Sequence, residues 1–158
     1  MAIKRGPPGR RRTPVGRQAR ILALQCLYVR DVRGSFDTAI VDWLCADDPV
    51  SGAVRRNAEH LVAGILDDVD RLDAVIQKYA PALPVELLAI VDRNILRVAI
   101  YEMAKREQTP NRVIINEATE LASNFGSESS ARFVNGVLGS VLNDSPNPGA
   151  DTLARLDP

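Results

Sequence analysis

An all-α protein is predicted, a compact bundle of about seven helices, two of them central and buried. Three observations predict it. The prolines outside the two termini fall only at 49, 81, 84 and 110, leaving proline-free blocks of 25 to 35 residues in which helices can run. Apolar residues within those blocks recur at helical spacing. No stretch alternates apolar and polar residues over more than a few positions, as a strand with one buried face would.

Each element follows from this pattern. From Ile21 to Tyr28 the apolar positions run around most of a helix, leaving Gln18 and Gln25 as a narrow polar edge, and from Ile95 to Ala104 only Arg97 and Glu102 interrupt the apolar surface. A helix apolar nearly all round is buried on most sides, so these two are assigned to the centre. Amphipathic helices are predicted around them at roughly 36–46, 51–66, 68–79, 112–125 and 128–142, with a short one near 84–91. In the last block Ile114, Ile115, Ala118, Leu121, Ala122 and Phe125 form one face. Gly126 stands where a left-handed cap is wanted, and Ser127 is placed to start the next helix, whose buried face is Phe133, Val134, Val137, Leu138 and Val141. Asn135 and Gly136 suggest a close helix crossing, and Asp92 reads as the N-cap of the second central helix.

The charges are segregated. The 158 residues hold twenty Lys and Arg against twenty Asp and Glu, a formal net charge of zero. Residues 1 to 20 contain seven of the basic residues and no acidic one, which leaves thirteen basic and twenty acidic residues for the other 138. A +7 segment thus joins a −7 body, an asymmetry typical of chains whose basic arm meets nucleic acid or a membrane surface. The predicted organisation is an arginine-rich arm at 1–14 broken by Pro7, Pro8, Gly9 and Pro14, a helical domain at 15–142, and a disordered tail at 143–158 rich in Pro, Asn, Asp and Gly. The arm has no apolar face for lipid, no segment is apolar enough to span a bilayer, and no secretory signal is evident, so a cytoplasmic setting is expected.

Chemistry-bearing constellations are sparse. Cys26 and Cys45 lack metal-ligand or redox spacing, and Cys26 reads as core. His60 has no second imidazole or thiol nearby in sequence. Asp67, Asp68, Asp70 and Asp73 lack the glycine and bidentate glutamate of a calcium loop and read as a solvated helix start. No nucleotide-binding or nucleophile motif occurs. Neither enzymatic function nor a cofactor is expected.

The segments Arg17-Gln-Ala-Arg20 leading into Ala23-Leu-Gln-Cys-Leu-Tyr28, Val91-Asp-Arg-Asn-Ile-Leu-Arg-Val-Ala-Ile-Tyr-Glu102, Ile115-Asn-Glu-Ala118 and Phe133-Val-Asn-Gly-Val-Leu138 together resemble the NusB family of bacterial transcription antitermination factors, in order from about Arg10 to Leu142. The resemblance implies a non-catalytic helical protein that, with the small-subunit ribosomal protein NusE, recognises the single-stranded boxA element of nascent ribosomal RNA leaders. It joins RNA polymerase and other Nus factors and suppresses Rho-dependent termination. RNA contacts then map on Arg10, Arg11, Arg12, Arg17 and Arg20, and on Phe125 and Phe133, with Arg132 extending the positive strip. Partner contacts map on Tyr28 and Asp92, with the hydroxyl edge of Tyr101 as a further candidate. The arm is longer than is usual in the family, and Ser129 stands where an acidic residue often occurs. Two other readings compete: a helical adapter that binds only protein, and a stand-alone relative of the NusB-like domain of ribosomal RNA methyltransferases. Monomer and homodimer both remain open.

Overall fold

A computed structural model describes residues 14–105 and 109–144. Among these residues there are seven α-helices, one 3-10 turn and no strand: α1 Val15–Arg33, α2 Ala39–Leu44, α3 Gly52–Asp67, α4 Val69–Tyr79, the 3-10 turn Val85–Leu87, α5 Ile90–Lys105, α6 Asn111–Phe125 and α7 Ser130–Asp144. Most of the arm, with Arg10, Arg11 and Arg12, and most of the expected tail lie outside the described residues.

The helix limits have local causes. Pro14 precedes α1, where its fixed φ suits a helix start and its missing N–H costs nothing. Gly34 ends α1 at φ 79°, a left-handed conformation that glycine adopts without steric penalty. Ser51 caps α3 by accepting a hydrogen bond from the Val54 N–H at 3.2 Å. At the far end of the chain α7 runs through Asn143 and Asp144, beyond the expected limit at 142. Its last residue is held there because Lys78 donates to the Asp144 carboxylate at 3.0 Å and the Tyr79 hydroxyl donates to the same oxygen.

The central position of α5 follows from its composition. It packs against α1, α3, α4, α6 and α7. Ile95, Leu96, Val98, Ala99, Ile100 and Met103 are buried in one core with Leu22, Ala23, Leu24 and Leu27 of α1, Ile65 of α3, Leu72 and Ile76 of α4, Ile114 and Leu121 of α6, and Leu138 and Val141 of α7. Burying each such aliphatic side chain contributes about 1.5–3 kcal/mol relative to exposure, and their sum opposes the ordering of the chain. Helix α1 is buried through its middle, while both of its ends reach the surface. Cys26 lies within this core, and burial pushes its thiol pKa up to about 12. Both cysteines are free thiols.

Several local expectations are corrected. Gly126 is extended rather than left-handed, and glycine is required there for space: a Cβ would stand 2.4 Å from the Ser130 side chain and 2.7 Å from the Ala122 carbonyl. Ser127 does not start α7. The chain first makes one tight turn, in which the Ser130 N–H donates to the Ser127 carbonyl at 3.1 Å and the Ser127 N–H donates to Ser130 Oγ at 2.8 Å. Asp92 is no N-cap, because α5 already begins at Ile90. Asn135 and Gly136 face solvent on α7, and a Cβ on Gly136 would meet nothing within 4 Å. The close crossing lies at Gly64 of α3 instead, where a Cβ would fall 1.9 Å from the Tyr101 hydroxyl oxygen. Nor is Asp73 merely solvated, since it binds Arg97 through two hydrogen bonds of 2.7 and 2.8 Å.

Candidate nucleic-acid and partner interface

Antiparallel packing of α1 on α5 sorts the candidate residues into two groups. Arg20 at the start of α1 meets Glu102 near the end of α5, and Asp31 near the end of α1 meets Arg93 and Asn94 near the start of α5. Candidates for RNA contact therefore gather at one end of α1 and candidates for partner contact at the other.

At the first end, two arginines of α1 face three glutamates. Arg17 spans Glu117 with hydrogen bonds of 3.0 and 2.7 Å and reaches Glu120 at 2.7 Å, both on α6. The charge-assisted fork of Arg17 holds the Glu117 carboxyl below its ordinary pKa. Arg20 is buried and donates to Glu102 at 2.8 Å, with Glu117 3.7 Å away. The two arginines are thus unlike. Arg17 is partly exposed and shares its carboxylates at the surface, whereas Arg20 is buried in its ion pair, which leaves little of the guanidinium open for the phosphate contact expected of it.

The same helix α6 carries the aromatic candidate. Phe125 is its last residue and is 44% exposed, lying about 8 Å along the axis from Glu120 at the helical rise of 1.5 Å per residue. It ends α6 partly exposed, one turn after the buried Leu121 and Ala122. Beyond Gly126, residues Ser127, Glu128, Ser129 and Arg132 line an open cleft of about 410 Å³. Arg132 is exposed, while Phe133 is half-buried and packs on the core. An exposed ring beside a polar cleft with a cation on its rim can stack on one face of an unpaired base and reach a neighbouring phosphate.

At the second end Tyr28 is 43% exposed, with Val32 and Leu87 also exposed. Next to Val32 in the chain, Asp31 centres a buried charge network that sequence reasoning missed. The Asp31 carboxylate accepts hydrogen bonds from Arg93 at 2.8 Å, Arg97 at 2.9 Å and Asn94 at 3.1 Å. Arg93 also donates to the Val85 and Glu86 carbonyls at 3.3 and 3.0 Å, and Arg97 continues to Asp73. Burial alone would raise the Asp31 pKa, but hydrogen bonds from Arg93 and Arg30 and the charge of Arg97 hold it below the usual carboxylate value. The network joins α1, α4, α5 and the 3-10 turn into one rigid support. The signal for it is Arg93 and Arg97 on an otherwise apolar helix, since buried guanidinium groups require carboxylates from neighbouring elements.

Asp92, adjacent to Arg93, is buried, and its Oδ1 has no hydrogen-bond partner among the described residues. Tyr101 does not join this group. It lies nine residues further along α5, about 13 Å at helical rise, with its hydroxyl against Gly64. Among the described residues no three His, Cys, Asp or Glu side chains converge as a metal would need, and no helix is long and apolar enough to cross a membrane.

Known proteins resemble this chain in sequence and in fold. The family model described as the NusB family matches residues 17–143. The transcription antitermination protein NusB of Dehalococcoides mccartyi is 44% identical over 128 residues, covering 79% of this chain and 87% of the relative. That of Symbiobacterium thermophilum is 40% identical over 152 residues, covering 89% and 98%. Among solved structures, T. maritima NusB superposes with a TM-score of 0.77 at 28% identity, covering 90% of this chain and 98% of that one. A chain from the complex of the antitermination factors NusB and NusE with double-stranded RNA shares the fold, with a TM-score of 0.74 at 23% identity over 83% and 98% of the two chains. The chain belongs to the NusB family.

Proposed function

We propose that this protein is an RNA-binding transcription antitermination factor. Together with NusE it recognises boxA of nascent ribosomal RNA leaders, joins RNA polymerase with other Nus factors, and suppresses Rho-dependent termination. It acts in the cytoplasm and by binding alone, without catalysis. The observation that carries the reading is Phe125, an exposed ring at the end of α6 beside the Ser127–Arg132 cleft, on the helix that also anchors the root of the arginine arm. The relatives' role in antitermination supports it.

In this reading Arg10, Arg11 and Arg12 within the arm at 1–14 supply phosphate contacts and counterion release, Arg17 exchanges Glu120 for phosphate, Phe125 stacks on a base, and Arg132 holds the strand beyond it. Phe133 supports the cleft from below. At the opposite end of α1, Tyr28 with Val32 and Leu87 forms the NusE face, and Asp92, largely buried, adds its charge and the small edge that remains exposed toward that basic partner. The two faces are separate, so RNA and NusE bind together.

The test is a fluorescence-anisotropy titration of boxA RNA with and without NusE at two salt concentrations. Affinity should rise with NusE and fall steeply with salt. Arg10, Arg11 and Arg12 replaced together by Gln should weaken RNA binding while NusE binding persists, whereas a protein-only adapter would show no change in either.

A further inference from the structure

Trp43 is the only tryptophan in the chain and is 67% exposed, on the six-residue helix α2. Neither the RNA face nor the partner face uses it. The surrounding sequence is one-signed: Asp37, Asp42, Asp47 and Asp48 are all exposed, and no Lys or Arg occurs between Arg33 and Arg55. Of these four, Asp42 is bound by Arg55 at 2.6 Å. Immediately after Trp43 the chain turns inward, and Leu44, Cys45, Asp48 and Val50 form one wall of a cleft of about 190 Å³, with Ile21, Leu22 and Gln25 of α1 on the other. An exposed indole, an acidic rim and an adjoining half-apolar cleft form a surface suited to a basic extended peptide, which lays cations against the carboxylates and proline rings against the indole.

We propose that the occupant is this chain's own arm, residues 1–13. Those residues hold Lys4, Arg5, Arg10, Arg11 and Arg12, the pair Pro7-Pro8 and no acid, and so complement the surface in charge and in kind. They are also tethered beside it. Gln18, one turn after the start of α1, belongs to the lining of the same cleft. Thirteen residues reach about 43 Å when extended, against roughly 10 Å from Gln18 to Gln25 along α1, so the arm can double back along the groove. Tethering raises its local concentration to the millimolar range, far above that of a free peptide. The arm then exchanges between the acidic Trp43 face and a polyanion. RNA must displace this internal competitor, which disfavours ligands that offer charge alone. The docking itself does not depend on the boxA assignment.

Trp43 reports on it directly. Acrylamide quenching of its fluorescence is measured on the full chain and on a full-length variant with K4Q, R5Q, R10Q, R11Q and R12Q. At low salt the quenching constant of the native chain should be about twofold lower, because a peptide seated against the ring shields one face. Sodium chloride at about 1 M, which shortens the screening length to about 3 Å, should raise the native value to that of the variant and leave the variant unchanged. The double variant D47N/D48N, with an intact arm and an unchanged circular dichroism spectrum, should be quenched like the arm variant. Equal constants for native chain and arm variant at low salt would overturn the proposal, as would full protection in D47N/D48N. Protection that grows with protein concentration would also overturn it, by assigning the surface to a second copy's arm. No RNA is present in these measurements, so their failure and that of the boxA titration are told apart.

Discussion

The two ends of α1 use the same chemistry, arginine against carboxylate, in opposite ways. Near its C-terminal end α1 supplies the carboxylate, Asp31, and α5 supplies Arg93 and Arg97, with all three side chains largely removed from solvent. At its N-terminal end α1 supplies Arg17, and α6 supplies Glu117 and Glu120, of which Glu120 is 57% exposed. A buried ion pair is fixed, since losing one partner strands a charge in low dielectric. An exposed one contributes little and can be exchanged for another anion. Burial, rather than residue type, therefore separates a structural clamp from an exchangeable surface pair on one helix. Arg20 marks the transition, because it shares the arginine-rich sequence of the binding end and the burial of the clamp.

The largest expected effect breaks the clamp. Asp31→Ala leaves Arg93 and Arg97 without their shared carboxylate and should destabilise the fold by about 3–5 kcal/mol, read as a lower urea midpoint. It should also weaken NusE binding, because the support beside Tyr28 and Asp92 is lost. Next in size is Phe125→Ala, expected to weaken RNA binding by about 1–3 kcal/mol, the usual worth of one stacked base. Its urea midpoint should move less than that of a core substitution, as 44% of the residue is already exposed. Phe133→Ala should do the reverse, losing stability first.

Acid acts on both ends in the same direction, since Asp31 and Glu117 are each held below the ordinary carboxylate pKa, and the buried clamp has the more to lose. The folded-state pKa of Asp31 lies below its unfolded value, so its contribution is complete above the unfolded pKa of about 3.9 and is lost as pH falls through the folded value. The urea midpoint should be level from about pH 7 to 5 and fall below about pH 4. Asp31→Asn should start lower at neutral pH and decline less steeply. The smallest effect is expected for Arg17→Gln. It should change stability by no more than about 1 kcal/mol, as exposed pairs do, and reduce the salt dependence of RNA binding by about one phosphate contact.

The distinction between these ends was only partly legible in the sequence. Periodicity and proline spacing located the helices and identified α5 as central, because both are properties of local chain order. Phe125 does fall at the last position of α6, but it is exposed although the pattern sets it on the apolar face, and α1 runs five residues beyond Tyr28. Asp31 was missed because its partners lie more than sixty positions away, and only packing brings Arg93, Asn94 and Arg97 to one carboxylate. A run of arginines reads alike whether a helix buries it or not, so the sequence does not separate buried Arg20 from the more exposed Arg17. Gly126 and Gly136 show the same limit. A glycine required for space at residue 126 and one that meets nothing at residue 136 are identical in sequence, and the close approach occurs at Gly64, which carries no motif.

The central claim is that the root of the arm and Phe125 together read a specific single strand. The most direct measurement is competition, with labelled boxA RNA bound to the full chain and NusE at physiological salt and displaced by unlabelled boxA or by a scrambled strand of equal length and uridine content. The account predicts that boxA displaces at concentrations at least about tenfold lower, equivalent to about 1.4 kcal/mol of discrimination, and that Phe125→Ala erases most of that gap. Equal displacement by the two strands would contradict it, leaving the arm as a charge without a reader.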